Sequence, residues 1–166
     1  ALIVCNHVSF VDPLIVMGEV HRPIRFVMYY KIHNIPVLKF IFKQARTIPI
    51  AGAKEDAALL ERAFEEIDRA LAAGQVVGIF PEGGLTPDGQ IAAFRPGIEK
   101  ILARRPVPVV PMALRGLWGS VFSRRDSALR RARLPRRFRA RIGLVVNPVV
   151  PPELASATRL EADVRA

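Results

Sequence analysis

The sequence predicts a single α/β domain in which a mixed, mostly parallel sheet is flanked by helices. Short apolar runs of strand length alternate with amphipathic helical patterns, the order that strand–helix–strand units produce. The chain has 166 residues, and 51% of them are hydrophobic, which is enough for one domain with a substantial core. Residues 1–166 are therefore expected to form one domain. Because the chain starts without Met inside a predicted strand, we expect it to be part of a longer protein.

The strands are predicted from short apolar runs that are bounded by turn residues or helical patterns. They cover residues 1–5, 24–29, 47–50, 75–80, 107–114 and 139–146.

The clearest helix is predicted for residues 54–73, because its apolar residues recur at three- and four-residue spacing and Gly74 follows as a stop. A shorter helix is predicted to begin at Asp12, with the Asp12 side chain as N-cap and Pro13 at the first helical position. Further helices are predicted for residues 36–43 and 97–104. Residues 81–94 are predicted to be a loop. The prolines at positions 148, 151 and 152 are expected to end regular structure.

The positive charge is concentrated in one part of the chain. The net charge is +10, yet residues 104–141 hold twelve arginines and one acid, Asp126, so that the remaining residues sum to −1. Residues 116–138 are predicted to be a basic, less regular segment. It suits anionic lipid, phosphate-bearing substrates or nucleic acid, and a merely solvated surface is the plain alternative. The predicted membrane contacts are Arg124, Arg125, Arg130, Arg131, Arg136 and Arg137.

Lipid is preferred over nucleic acid as the partner of this basic segment. Residues 123–137 contain no aromatic side chain for stacking on bases, and no nucleic-acid-binding motif occurs elsewhere. Leu117, Trp118, Val121 and Phe122 are expected to be exposed and to assist docking on lipid.

The first motif with chemical potential runs from Asn6 through His7 to Asp12. It lies between the end of a predicted strand and the start of a predicted helix, so the Asp12 carboxylate can turn back toward the His7 ring. A carboxylate on one ring nitrogen fixes the tautomer and leaves the other nitrogen free to accept a proton. In isolation, a surface His beside an ordinary N-cap Asp is the better interpretation.

The second motif is Phe80-Pro81-Glu82-Gly83-Gly84, where a predicted strand meets a glycine-containing loop. In α/β folds the carboxyl ends of strands border the ligand crevice. The glycines allow main-chain N–H groups to approach a ligand, and Glu82 can accept hydrogen bonds from hydroxyls. An ordinary turn with an exposed Glu is the alternative for this motif alone.

Taken together, the two motifs resemble the glycerolipid acyltransferase family, which includes the lysophosphatidic acid acyltransferases. That family is marked by Asn-His-four residues-Asp and, later, by Phe-Pro-Glu-Gly, in this order. The stretch from Lys31 to Ile50 is similar to its second conserved block, and Val110-Pro111 to its fourth. The resemblance covers roughly residues 1–115.

The resemblance implies a glycerol-3-phosphate acyltransferase-like fold and acyl transfer from acyl-CoA or acyl carrier protein to a lysophospholipid hydroxyl. It implies His7 as general base with Asp12 as its partner, and no bound cofactor or metal. The implied substrate-binding residues are Asn6, Glu82, Gly83, Gly84 and Arg95. The expected location is the cytoplasmic face of a membrane, peripheral or tethered by other parts of the chain.

Two departures from the family pattern concern the acyl acceptor. The second block usually ends in Arg, but Ala51-Gly52 follows Ile48-Pro49-Ile50 here. The third block often continues Thr-Arg-Ser, but Gly84-Leu85-Thr86 stands there. Arg46, Lys54 and Arg95 are the candidate replacements.

Two alternatives remain open at this point. One is a catalytically silent lipid- or nucleic-acid-binding module on the same scaffold. The other is a Cys–His hydrolase that uses Cys5, two residues before His7, although a buried strand residue is the simpler role for Cys5.

Overall fold

The computed structural model describes residues 1–33, 42–118 and 141–166. Its core is a six-stranded sheet in the order β3-β2-β4-β1-β5-β6. Among the described residues, four neighbouring strand pairs are parallel and the pairing of β5 with β6 is antiparallel, so the predicted mixed, mostly parallel sheet is confirmed. The strands are β1 (Leu2–Cys5), β2 (Ile24–Tyr29), β3 (Ile48–Ile50), β4 (Val76–Ile79), β5 (Val109–Arg115) and β6 (Gly143–Val146).

Helices cover both faces of the sheet. Because side chains alternate along a strand, Leu2 and Val4 of β1 face one apolar cluster, whereas Ile3 and Cys5 face the other. Helices α3 (Ala57–Ala72), α4 (Gly97–Arg104) and α5 (Ala157–Arg165) contribute to the first cluster, and α1 (Asp12–Glu19) contributes to the second. A one-turn helix, α2 (Tyr30–His33), continues β2.

Helix α3 forms as its sequence predicts. Asp56 caps it by accepting a hydrogen bond from the Leu59 N–H at 2.8 Å, and its charged residues lie on the outer face. Gly74 follows with φ of +72°, a conformation that glycine adopts without the strain of a Cβ. The buried residues of α3 are Ala63, Phe64, Ile67, Ala70 and Leu71.

The prediction that regular structure ends at the C-terminal prolines is wrong. A 3₁₀ turn occupies Pro152–Leu154, and helix α5 follows at Ala157–Arg165. The Ser156 hydroxyl caps α5 by accepting from the Arg159 N–H, and Leu160 and Val164 are buried four residues apart. These signals were in the sequence, but the preceding prolines obscured them.

Two local predictions also need correction. Val11, and not Asp12, is the N-cap of α1, because the Asp12 side chain turns back toward the preceding loop. Leu117 is buried in the core and is therefore not available to lipid, whereas Trp118 is half-buried with its ring packed against Gly89.

Some predictions fall outside the described residues. These include most of the helix predicted for residues 36–43 and nearly all of the basic segment at 116–138, with Val121 and Phe122. Within the described residues, no helix is long and apolar enough to cross a bilayer.

Candidate active site

The two motifs meet because the strands that precede them are neighbours. Strands β1 and β4 are parallel and adjacent, with Val4 opposite Ile79. Their carboxyl ends therefore lie at the same edge of the sheet, and the chain leaves β1 toward His7 and β4 toward Glu82. Strand β5 lies on the other side of β1. The sequence prediction that these motifs share one site is consistent with this topology.

The Asp12 carboxylate organises the loop between β1 and α1. Asp12 is fully buried, and its Oδ2 accepts hydrogen bonds from the Val8 and Ser9 N–H groups at 2.7 and 2.8 Å. The same oxygen lies 2.9 Å from His7 Nδ1. One carboxylate thus closes the turn and orients the ring. It does so from the first turn of α1, where the helix dipole favours a negative charge.

The His7 ring is held so that Nδ1 is hydrogen-bonded to Asp12, whereas Nε2 has no hydrogen-bond partner among the described residues. An ionised carboxylate only accepts hydrogen bonds, so in a neutral ring paired with it Nδ1 would carry the proton and Nε2 would present a lone pair. No described residue hydrogen-bonds Nε2, and 19% of the side chain is exposed. The ring also stacks on Phe80, with centroids 4.2 Å apart and planes 19° from parallel. This arrangement suits a general base.

Asn6 fastens the start of this loop to β5. Its Nδ2 donates to the Leu114 carbonyl at 3.0 Å, and its Oδ1 accepts from the Leu114 N–H at 2.7 Å. The side chain is buried, and both ends of its amide bind the main chain of β5. The substrate-binding role expected for Asn6 stays a prediction, whereas its bonds to β5 are structural.

Glu82 is also buried, and both of its oxygens accept main-chain hydrogen bonds. Oε1 accepts from the His7 N–H at 2.6 Å, and Oε2 accepts from the Ala92 N–H at 2.7 Å. Burial raises the pKa of Glu82, although the two N–H groups act in the opposite direction. Glu82 therefore connects three pieces of chain: the end of β4, the His7 loop and the far side of the loop at residues 81–94.

Gly83 lies directly beneath the Arg95 guanidinium. Gly83 has φ of +72°, and a Cβ at this position would come within 2.5 Å of Arg95 Cζ. Arg95 is exposed and forms no ion pair with a described residue, although its N–H donates to the Pro81 carbonyl at 3.0 Å. The Arg95 guanidinium thus lies against Gly83, the residue that follows Glu82. Gly84 has open space around it.

The other two candidate cations are less well placed. Arg46 precedes β3, so it lies at the amino edge of the parallel sheet, opposite the His7 edge. Lys54 follows β3, and β2 lies between β3 and β4, so β3 is about 10 Å from β4 across the sheet. Among the three, only Arg95 adjoins the Glu82 motif.

The contacts of two further residues with His7 were not predicted from the sequence. Phe80 provides the surface on which the His7 ring stacks. Thr86 is buried, and its N–H donates to the His7 carbonyl at 3.0 Å. The Thr86 hydroxyl donates to the Gln90 carbonyl and accepts from the Gly89 N–H. The Thr-Pro-Asp-Gly turn sequence could have indicated this local network, but not its contact with His7.

Cys5 is a core residue. It is fully buried in the cluster on the α1 face, and burial raises the pKa of its thiol to about 12. A buried thiol with this pKa is a poor nucleophile at neutral pH, so the geometry does not favour the Cys–His hydrolase.

The remaining predicted site residues lie outside the described residues, namely Arg124, Arg125, Arg130, Arg131, Arg136 and Arg137. Within the part of the chain that is described, no group of three or more His, Cys, Asp and Glu side chains could hold a metal ion.

The chain is similar to known acyltransferases in sequence. The model of the family described as Acyltransferase matches residues 1–115. A chloroplastic 1-acyl-sn-glycerol-3-phosphate acyltransferase of Brassica napus is 31% identical over 117 residues, covering 68% of this chain and 32% of that protein. A probable 1-acyl-sn-glycerol-3-phosphate acyltransferase of Mycoplasma pneumoniae is 24% identical over 157 residues, covering 91% of this chain and 57% of that protein. The chain thus spans about a third to about a half of these relatives.

A solved structure shares the fold. The crystal structure of the 1-acyl-sn-glycerophosphate acyltransferase PlsC from Thermotoga maritima superposes with a TM-score of 0.74 at 21% identity. The match covers 99% of this chain and 63% of that chain. At this identity the match shows the fold, whereas the family follows from the sequence match over residues 1–115. The chain belongs to the acyltransferase family that includes the PlsC-like 1-acyl-sn-glycerol-3-phosphate acyltransferases.

Proposed function

We propose that this domain transfers a fatty acyl group from a thioester to a hydroxyl of a lysophospholipid such as 1-acylglycerol 3-phosphate. One observation carries the proposal: Nδ1 of His7 is fixed by the buried Asp12, while Nε2 is open to a substrate. Family membership and the names of the relatives support the same reaction class and acceptor. The donor is acyl-CoA or acyl carrier protein, used as a co-substrate.

The reaction needs one proton carrier and no enzyme nucleophile. His7 Nε2 takes the proton of the acceptor hydroxyl as that oxygen attacks the thioester carbonyl. The tetrahedral intermediate then breaks its C–S bond, and the departing sulfur takes the proton from the imidazolium. The result is an ester and a free thiol. Asp12 holds the ring in the productive tautomer and stabilises the imidazolium, while the nearby N-terminus of α1 favours developing negative charge.

Arg95 is the proposed partner of the acceptor's phosphate. The guanidinium can bind two phosphate oxygens at once, and it has no competing carboxylate among the described residues. Arg95 contacts Gly83, and the neighbouring Glu82 bonds the His7 main chain. Arg95 is thus near the region where the glycerol end of a lysophosphatidate has to bind for its hydroxyl to reach the general base. Arg95 thus takes the role of the Arg that is missing after Gly84.

We also propose that the domain works at the cytoplasmic face of a membrane. The chain has a net charge of +10, which favours anionic lipid. Phe10 and Leu14, in and just after the His7–Asp12 loop, are each 57% exposed, so two apolar side chains next to the site in sequence are accessible to a lipid surface. The six arginines of the basic segment would add electrostatic attraction.

A thiol-release assay tests this function. The purified domain is offered acyl-CoA or acyl carrier protein with lysophosphatidate, lysophosphatidylcholine, lysophosphatidylethanolamine or glycerol 3-phosphate. We expect thiol release that depends on lysophosphatidate, with phosphatidate as the lipid product. Lysophosphatidate binding without any thiol release from either donor would favour the silent lipid-binding module instead.

A further inference from the structure

Glu82 joins the His7 loop to the loop at residues 81–94. Each of its oxygens already accepts one main-chain N–H, from His7 at 2.6 Å and from Ala92 at 2.7 Å. The residue is 7% exposed. The protein's own main chain therefore occupies both oxygens of Glu82, so the side chain is poorly placed to hydrogen-bond an incoming acceptor.

The His7 main chain is bound on both sides. Its N–H donates to Glu82, and its carbonyl accepts from the Thr86 N–H at 3.0 Å. Thr86 is itself fixed by a buried hydroxyl that bonds Gln90 and Gly89. With Asp12 on Nδ1 and Phe80 against the ring, every group of His7 except Nε2 is fixed.

We propose that Glu82 is a positioning residue that acts through the His7 main chain and not a ligand of the acyl acceptor. This inference rests on the proposed function, in which Nε2 takes the acceptor's proton. The position of Nε2 depends on the His7 backbone, and displacing a reacting group by about 1 Å can cost about 100-fold in rate. Glu82 holds the His7 N–H while Thr86 holds the His7 carbonyl, and the buried carboxylate thereby limits that displacement.

The ionised form of Glu82 is the form that accepts both N–H groups. Burial raises its pKa, so protonation at acid pH would turn one accepting oxygen into a donor facing a main-chain N–H. The hydrogen bonds that Glu82 accepts from the His7 and Ala92 main chain would then weaken at acid pH.

The first test is Glu82→Gln, which replaces one accepting oxygen with an amide donor. We expect kcat to fall about 10- to 100-fold, because one buried N–H loses its acceptor next to the base, while KM for lysophosphatidate stays within about twofold. Glu99→Gln is the matched control, since Glu99 also accepts a main-chain N–H, from Ala157 at 3.1 Å, and its helix α4 lies outside the site. It should leave kcat unchanged. A raised KM with kcat unchanged in Glu82→Gln would overturn the proposal.

The second test measures acceptor binding without turnover. In the His7→Ala background, lysophosphatidate should bind equally well with and without Glu82→Gln, because Glu82 contacts the main chain at position 7 and not the acceptor. Binding weakened about tenfold or more by Glu82→Gln in this background would identify Glu82 as an acceptor ligand and contradict the proposal.

The third test is independent of acyl transfer, so it separates failure of this inference from failure of the proposed function. Hydrogen exchange of the His7 and Ala92 amides should be slow in the wild type and at least tenfold faster in Glu82→Gln. If Glu82→Gln does not fold, Glu82→Asp keeps the charge but is one methylene too short to reach both N–H groups, and it should show the same faster exchange. Unchanged exchange of the His7 amide in the folded variant would show that Glu82 does not hold the His7 main chain.

Discussion

Replacing Asp12 with Asn removes one charge from the centre of the site while keeping the size of the side chain. Asp12 Oδ2 accepts from Val8, Ser9 and His7 Nδ1, all within 2.9 Å, and the residue is fully buried. Two consequences follow. The amide cannot stabilise the imidazolium electrostatically, and its NH₂ group can donate to Nδ1, which moves the ring proton to Nε2 and prevents Nε2 from accepting.

The magnitude follows from the charge that is lost. A carboxylate and an imidazolium about 4 Å apart attract each other by about 4 kcal/mol at an effective dielectric constant of about 20. At 1.36 kcal/mol for each factor of ten, this corresponds to a loss of about 10³-fold in kcat. Hydrogen bonds to a charged acceptor are stronger than neutral ones by about 1 kcal/mol each, so Asp12→Asn should also lower the free energy of unfolding by about 1–3 kcal/mol.

The assay compares turnover at a temperature at which both proteins are folded, as judged by urea denaturation. Asp56→Asn is the matched control, because Asp56 caps α3 from a carboxylate that accepts the Leu59 N–H, and Asn is an equally good N-cap. It should change neither turnover nor stability. Asp12→Asn turnover within about threefold of the wild type, in a folded protein, would refute the reasoning about the His7–Asp12 pair.

Three further predictions concern Gly83, Cys5 and the basic segment. Gly83→Ala should raise KM for lysophosphatidate about tenfold, since its methyl group displaces the Arg95 guanidinium and a charge-assisted contact is worth about 1.5–3 kcal/mol. Gly74→Ala is the control, because Gly74 has the same φ of +72° but open space around it, so KM should not change. Equal effects of the two substitutions on KM would contradict the role of Arg95. Because burial raises the pKa of the Cys5 thiol to about 12, very little of it is ionised at pH 8. The folded protein should therefore resist iodoacetamide, and Cys5→Ala should keep most activity. A thioester on Cys5 detected by mass spectrometry would show that direct transfer is wrong. In vesicle flotation, the wild type should bind anionic lipid in a salt-sensitive way, and this binding should be lost when Gln replaces six arginines, each of which contributes about 1 kcal/mol near the surface. Equal flotation of the wild type and the six-Gln variant would mean that the arginines form a solvated surface. Those six are Arg124, Arg125, Arg130, Arg131, Arg136 and Arg137.

Much of the fold was predictable because its signals are local. The buried strands are short apolar runs, and α3 has a capping Asp, a clean apolar stripe and a terminal glycine. Helix α5 was missed because its buried stripe is short, with Leu160 and Val164 at its centre, and because prolines precede it. Its ion pairs at four-residue spacing, Arg159 with Asp163 and Glu161 with Arg165, were the available indication.

The sequence predicts that the His7 and Glu82 motifs belong to one candidate site, but it predicts less of the geometry of that site. The sequence places His7 and Asp12 five residues apart, and a turn between strand and helix is enough to bring them together. The contact of His7 with Glu82 joins residues 75 positions apart, and it depends on β1 and β4 being neighbours in the sheet. No local pattern encodes that neighbourhood, so the structural bonds of Asn6, Glu82 and Thr86 became visible only in the fold.

The central claim is that His7 acts as general base in acyl transfer to a lysophospholipid. The most direct measurement follows labelled acyl groups from acyl-CoA or acyl carrier protein into phosphatidate, with wild type and His7→Ala compared at equal folded concentration. The wild type should form labelled phosphatidate, and His7→Ala should form it about 10²- to 10⁴-fold more slowly, the usual contribution of a general base. Formation of phosphatidate at the wild-type rate by folded His7→Ala would contradict the account.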